Sequence, residues 1–269
     1  MLRLLLSLLL LPQAGGPHLN LERASKTVLQ LHRPAAGGAT LVGTGFLVAL
    51  PDALYLVTAE HVALQLGTDL HATYGEVGDR AKTLTLLQLT GSTIPEWTYH
   101  GVADVAVMEI QTEPDTMALL RSRALEPARL LRDLEAPPRE RPLTVVGFPL
   151  GFGALVLGPE SRVSPLSRMS FAASGLLTLR RIDTKTPMNF FLLDSPSIGG
   201  FSGAPVFLLP APFTHDGGLA FSDAALAVCV GLVHGTLGDD TGGKLAAIVP
   251  VSYIVETLEK AYRRRKPAT

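Results

Sequence analysis

The sequence predicts an all-β fold in two halves, closed by one helix at the C-terminus. Three observations carry this. Short apolar and β-branched runs bounded by turn residues recur from Thr27 almost to the end. Twenty-six glycines and 20 prolines supply the turns that many short strands need. A stretch rich in charge and proline, roughly Thr112 to Arg141, interrupts the strand pattern near the middle and reads as a linker.

Taken in order, the chain opens with Met1-Leu2-Arg3, the apolar run Leu4–Leu11, a break at Pro12 and the small residues Ala14-Gly15-Gly16. Residues 1–16 therefore read as a secretory signal peptide. The run is shorter than the ~20 apolar residues a bilayer span needs. The expected location is secreted or periplasmic, with no stable membrane insertion once the signal is removed. The first β half, residues 20–112, carries strand patterns at Thr27–Leu31, Gly43–Leu50, Leu54–Thr58, Leu70–Tyr74, Leu84–Thr90 and Val105–Ile110. Residues 113–127 form the linker. The second half, residues 128–250, carries them at Leu143–Gly147, Ala154–Leu157, Gly175–Arg180, Phe190–Leu193, Pro205–Leu208, Ala227–Val233 and Lys244–Val249. In residues 251–269 the period changes: Val251, Ile254, Val255, Leu258, Ala261 and Tyr262 fall at helical spacing. Arg263-Arg264-Arg265-Lys266 then complements the dipole at the helix C-terminus.

Composition narrows the function classes. A chain of 269 residues, 47% hydrophobic and 17% charged, is not disordered over most of its length. Its net charge of -1 gives no general hold on nucleic acid or anionic membrane. A single cysteine, Cys229, excludes an internal disulfide and a cysteine-based zinc site. His18, His32, His71, His100 and His215 are scattered without metal-ligand spacing. Gly37-Gly38 lacks the Lys-Ser/Thr ending of a phosphate loop. Neither a metal nor a cofactor is expected.

Three local patterns carry chemistry. Leu54-Tyr55-Leu56-Val57-Thr58-Ala59-Glu60-His61 is a hydrophobic strand that sets a histidine just past a sheet edge, where a ring can exchange a proton near neutral pH. Alone, such a histidine is more often structural. Ala103-Asp104-Val105-Ala106-Val107-Met108 places an acid at the mouth of an apolar strand, where a carboxylate needs a donor such as an imidazole N–H. Alone, it reads as a turn aspartate. Ser197-Ile198-Gly199-Gly200-Phe201-Ser202-Gly203-Ala204-Pro205 suits a tight, exposed turn around Ser202, with the backbone N–H groups of Gly200 and Ser202 able to share one oxyanion.

In the order His61, Asp104, Ser202, with the first two in one β half and the serine in the other, these motifs resemble the triad of chymotrypsin-fold serine peptidases. The similarity is greatest to the disulfide-free bacterial branch of HtrA/Deg proteases and glutamyl endopeptidases, and runs from about Thr27 to Val255. The resemblance implies two six-stranded antiparallel β-barrels with the site between them, and protein or peptide substrates. It implies Ser202 as nucleophile, His61 as general base, Asp104 as its partner, and Gly200 and Ser202 as the oxyanion hole. Pro196 and Ser197 would lie near the base of the specificity pocket, with Val233, His234, Gly235 and Thr236 along its wall. None of these is acidic, so a small or apolar side chain before the cut is expected rather than Arg or Lys. His234 falls one residue from the pocket histidine of glutamyl endopeptidases.

The departures matter too. Phe201 stands where trypsin-type enzymes carry the aspartate that pairs with a newly cut N-terminus, and Val62 replaces a frequent cysteine. The residues after Ser202 are expected to complete the barrel and helix, so the PDZ domain of HtrA enzymes is not expected here, and a monomer is favoured. Two other readings share the triad: a catalytically silent binding protein of the same fold, and an esterase. The loop around Met188 and the region before Ser197 are expected to shape the oxyanion hole.

Overall fold

The computed structural model describes residues 21–35, 38–130, 136–154, 161–209, 227–240 and 242–265. The candidate signal peptide, His18, His215 and most of the strand expected at Ala154–Leu157 lie outside these residues. A short helix α1 (Leu21–Lys26) leads into β1 (Val28–Ala35), β2 (Gly38–Leu50) and β3 (Ala53–Thr58). Helix α2 (Glu60–Leu66) follows, then β4 (His71–Gly75), β5 (Ala81–Thr85), helix α3 (Leu86–Thr90), β6 (Thr98–Tyr99) and β7 (Ala106–Glu109). These strands form one antiparallel sheet in the order β5-β4-β1-β2-β3-β7-β6.

The second sheet uses β8 (Leu143–Gly147), β9 (Leu166–Ser170), β10 (Leu177–Arg180), β11 (Pro187–Leu193), β12 (Pro205–Leu208), β13 (Val228–Gly238) and β14 (Lys244–Pro250). Its order is β10-β11-β14-β13-β12-β8-β9, again antiparallel throughout. Among the described residues each sheet thus has seven strands where the resemblance implied six, and β6 and β9 have no counterpart among the strands expected from the sequence. This is the chymotrypsin-like double-barrel architecture.

The expected strand at Leu84–Thr90 is instead mostly helix, with only Leu84 and Thr85 in β5. Thr85 and Gln88 form a reciprocal capping box, with Gln88 N–H donating to Thr85 Oγ1 at 3.3 Å and Thr85 N–H to Gln88 Oε1 at 2.9 Å. Leu86 and Leu89, three apart, are both buried, which is helical and not strand spacing. The linker is also ordered onto the first sheet. Helix α4 (Pro114–Arg123) fills most of it, and beyond α4 Leu125 exchanges backbone hydrogen bonds with Leu47 and Ala49 of β2 at 2.8 and 2.9 Å.

The C-terminal helix α5 (Val251–Arg265) buries the expected face through Val251, Ile254, Leu258 and Tyr262. These side chains join one apolar cluster that includes residues of both sheets, among them Leu56, Met108, Leu232 and Val249. A second cluster, with Leu143, Phe191, Phe201, Val206 and Ile248, packs within the second half alone. Cys229 is fully buried in the first of these clusters, its thiol pushed up to about 12 by desolvation, so it acts as a small apolar side chain.

Candidate active site

Strand β3 is buried along its whole length and delivers the chain to Ala59, whose extended backbone turns into α2. His61 lies in the first turn of that helix with its side chain 20% exposed, partly open to solvent as its strand-end position predicts. Asp104, with no exposed surface, sits on the turn before β7. Its Oδ1 accepts the His61 backbone N–H at 3.0 Å, and its Oδ2 accepts His61 Nδ1–H at 2.7 Å. The first two motifs are therefore joined as their chemistry requires.

The second sheet also reaches Asp104. His234 Nδ1 lies 2.5 Å from Asp104 Oδ2, and Arg181 Nη2 donates to Oδ1 at 3.3 Å. Ile182 N–H donates to His234 Nε2 at 3.1 Å, which makes Nε2 an acceptor and puts the His234 proton on Nδ1, facing the carboxylate. Burial works against the Asp104 charge, but hydrogen bonds from His234 and His61 outweigh it and hold the carboxyl well below the usual range. Arg181 is 3% exposed and also donates to Glu60 Oε2 at 2.7 Å and to Asp183. Burial disfavours its charge, yet the hydrogen bonds to Asp183 and Glu60 and the charge of Asp104 keep it above its ordinary value.

The Ser202 turn is built by two glycines in the left-handed region, Gly200 at φ 99° and Gly203 at φ 82°. It is seated on the first sheet. Thr44 N–H donates to the Ser202 carbonyl at 2.9 Å, and Thr44 Oγ1 donates to the Gly200 carbonyl at 2.7 Å. A Cβ on Gly203 would lie 2.3 Å from both the Thr44 carbonyl and Thr58 Oγ1, so this backbone approaches the end of β3 that carries His61. The Gly199 carbonyl accepts Leu150 N–H at 2.7 Å, which turns the N–H of the same trans peptide, that of Gly200, the opposite way. Among the described residues, no acceptor meets the backbone N–H of Gly200 or of Ser202. Phe148, Leu150 and Thr44 contact this turn, whereas Met188 is a buried residue of β11 paired with Leu179. The turn before Ser202 is therefore held by residues 148–150 and not by a loop around Met188. Ser202 Oγ is directed at the His234 carbonyl, 3.4 Å away, and not at the His61 ring.

Pro196, Ser197 and Val233 line a cavity of about 10 Å³ with Val145, Phe201 and Ala246. Its scale is about one water molecule. Arg168 Nη1 donates to the Pro196 carbonyl at 2.7 Å, and Thr236 Oγ1 to the Ser197 carbonyl at 3.0 Å, tying the two sides together. A Cβ on Gly235 would face Ile182 Cδ1 at 3.3 Å. His234 does not line the cavity. The β13–β14 register shifts between Val233 and Gly235, so His234 is a bulge residue, buried with its ring on Asp104 while Val233 faces the cavity. Sequence reasoning missed the bonding of His234 to Asp104, and missed Arg181 altogether. The one available signal was a histidine on an apolar strand, which needs a buried partner.

His61, Asp104 and His234 are also close enough in donor atoms to be considered as metal ligands. The donor chemistry does not fit. Both Nδ1 atoms already face one carboxylate oxygen as N–H donors, His234 Nε2 is committed to Ile182 N–H, and the Arg181 cation lies alongside. No step is assigned to a metal.

Comparison with known proteins bears on the family and the fold. The trypsin-like peptidase domain model matches residues 43–209, which include His61, Asp104 and Ser202. No curated protein sequence matches the chain. Among solved structures, the HtrA-type protease AlgW with decapeptide is 14% identical with TM-score 0.52, over 90% of this chain and 66% of that one. This chain thus spans slightly under two thirds of that protein's length. The Rv3671c protease from M. tuberculosis, in its active form, is 15% identical with TM-score 0.49, over 93% of this chain and 92% of that one. Deg5 is 16% identical with TM-score 0.49, over 87% and 88% respectively. At these identities the structures bear on the fold alone, and the family rests on the domain match over more than half of the sequence: this chain belongs to the trypsin-like peptidase domain family.

Proposed function

We propose that the protein is a serine endopeptidase working through Ser202, His61 and Asp104 by an acyl-enzyme intermediate. The observation that carries this is the 2.7 Å His61–Asp104 hydrogen bond beside a serine turn seated on the end of β3. With Nδ1–H given to Asp104, His61 Nε2 is left as the basic nitrogen. It takes the Ser202 proton as Oγ attacks the scissile carbonyl, and returns it to the leaving amine. A water molecule then repeats the sequence on the acyl ester, regenerating Ser202 and releasing the acid product. The Gly200 and Ser202 N–H groups would receive the tetrahedral oxyanion; losing one such donor costs ~10²–10³ in rate in a measured case.

For attack, Ser202 Oγ turns about its χ1 from the His234 carbonyl toward His61 Nε2. The nearby HtrA-type structure bears a decapeptide, and we infer peptide substrates here also. A cavity as small as that beside Pro196 and Val233 favours a small apolar side chain before the cut. The Leu4–Leu11 run further supports export from the cytoplasm. Digestion of casein tests the activity. Wild type is expected to release peptides and Ser202→Ala none. Cleavage of simple esters without peptides would favour an esterase, and a folded wild type cleaving neither would favour a silent binding protein.

A further inference from the structure

We propose that Arg181 and His234 are positioning residues for the Asp104 carboxylate, so that the hairpin turn between β10 and β11 is part of the catalytic apparatus. This rests on the triad reading above.

An ionised carboxylate has about four acceptor positions. Here all four are taken: Oδ1 by His61 N–H and Arg181 Nη2, Oδ2 by His61 Nδ1 and His234 Nδ1. Two donors come from the residue that Asp104 must orient. The other two come from the opposite sheet. Without them, a carboxylate with no exposed surface keeps two unmet lone pairs and can rotate about Cβ–Cγ, carrying Oδ2 away from His61 Nδ1.

Both donors are themselves held by the same turn. Ile182 N–H fixes the His234 tautomer, and the ring packs on Phe190 with centroids 5.2 Å apart. Arg181 has all five N–H donors engaged. Nε and Nη2 grip both oxygens of Asp183 at 2.9 and 2.6 Å, Nη1 reaches Glu60 Oε2 and the Val102 carbonyl at 2.7 and 3.1 Å, and Nη2 reaches Asp104. Glu60 precedes His61 in sequence, and Val102 belongs to the Asp104 turn. From Arg181 to Pro187 only Arg181 is buried; the rest of the turn is exposed. A surface connection that sends one fully bonded arginine inward to the triad acid is a clamp, and Asp183 aims it.

The test compares His234→Phe, His234→Asn, Arg181→Met and Arg181→Lys in the full chain, by kcat and KM on a peptide and by the rate and end point of fluorophosphonate labelling. His234→Phe and Arg181→Met are expected to lower kcat and the labelling rate about 10- to 100-fold, with KM within about twofold and the labelling end point intact. His234→Asn, which restores an N–H near the Nδ1 position, recovers most of the rate, and Arg181→Lys recovers part of it. Proton NMR supplies a readout independent of turnover: wild type shows two downfield imidazole N–H signals and His234→Phe removes one. Unchanged kcat in both disruptive variants, or losses explained entirely by a lower end point, would overturn the proposal while leaving the triad reading intact. A folded wild type that is not labelled at Ser202 would remove both.

Discussion

His100 connects the C-terminal helix to the turn that carries the candidate catalytic acid. Its Nδ1 accepts the N–H groups of Val102 and Ala103 at 3.3 and 3.0 Å, so its Nε2 carries the proton and donates to Glu256 Oε2 at 2.9 Å. The ring also meets Tyr253 edge-on, with centroids 4.9 Å apart. Asp104 is thus braced from behind by α5 and from the front by the second sheet.

This arrangement predicts unequal effects at its two ends. His100→Leu removes the acceptor of two backbone N–H groups, one of them on buried Ala103, and is expected to cost about 1–3 kcal/mol of stability and about 3- to 10-fold in kcat, by loosening the turn. Glu256 has a side chain 58% exposed, so Glu256→Ala should cost less than about 1 kcal/mol and leave kcat nearly unchanged. Urea unfolding and steady-state kinetics on both variants check this. Equal costs at the two positions would contradict it.

The serine turn makes a second contrast. A Cβ on Gly203 would collide with the Thr44 carbonyl and Thr58 Oγ1 at 2.3 Å, on a backbone at φ 82°. Gly203→Ala should therefore destabilise by about 3 kcal/mol or more. At Gly199 nothing lies within 4 Å of the added atom, so Gly199→Ala should stay within about 0.5 kcal/mol of wild type. Denaturation midpoints of the two variants give the answer, and similar midpoints would refute the close approach of the two sheets at this point.

Stability should fall on mild acidification because of His32. This ring is buried on β1, with Nε2 2.8 Å from Thr73 Oγ1 and Nδ1 without a partner. Desolvation, then the neighbouring His71, lowers it from 6.5 to about 4. As pH falls between these values the unfolded chain takes up a proton that the folded chain refuses, so stability is lost from pH 6.5 down to about 4 and levels off below. From pH 7 to 5 the loss attributable to His32 is about 2 kcal/mol. Asp104, held low, acts in a separate window: its contribution is present above about pH 4 and is lost below. Urea unfolding at pH 7 and 5 should show a shallower pH dependence in His32→Gln than in wild type. Identical dependence would exclude His32 as the cause.

Much of the architecture was legible because the strand signals are local. β8 and β12 match their expected bounds, and α5 begins where Pro250 ends β14. His61 and Asp104 were legible for a different reason: a strand-end histidine and a strand-mouth acid each need a partner, and their bond supplies it. What was not legible depends on contacts between segments far apart in sequence. Arg181 sits in an ordinary charged turn, and its burial follows only from the hairpin folding over Asp104. His234 could be assigned to a face by strand alternation, but the bulge at that residue comes from pairing with β14, and its partner Asp104 comes from the other half of the chain. The helix at Leu86–Thr90 was hidden because its capping box is a side-chain pattern that overrides an apolar run.

Ser202 is proposed as a nucleophile activated by His61, and every catalytic role assigned to Asp104, Arg181 and His234 depends on it. The most direct measurement of this is the stoichiometry and site of covalent labelling by a fluorophosphonate, read by mass spectrometry of the intact chain and its peptides. One label per folded chain is expected on Ser202, with no label in Ser202→Ala and a severe loss of labelling rate in His61→Ala. Folded wild type that takes up no label, or label that persists undiminished in Ser202→Ala, would contradict it.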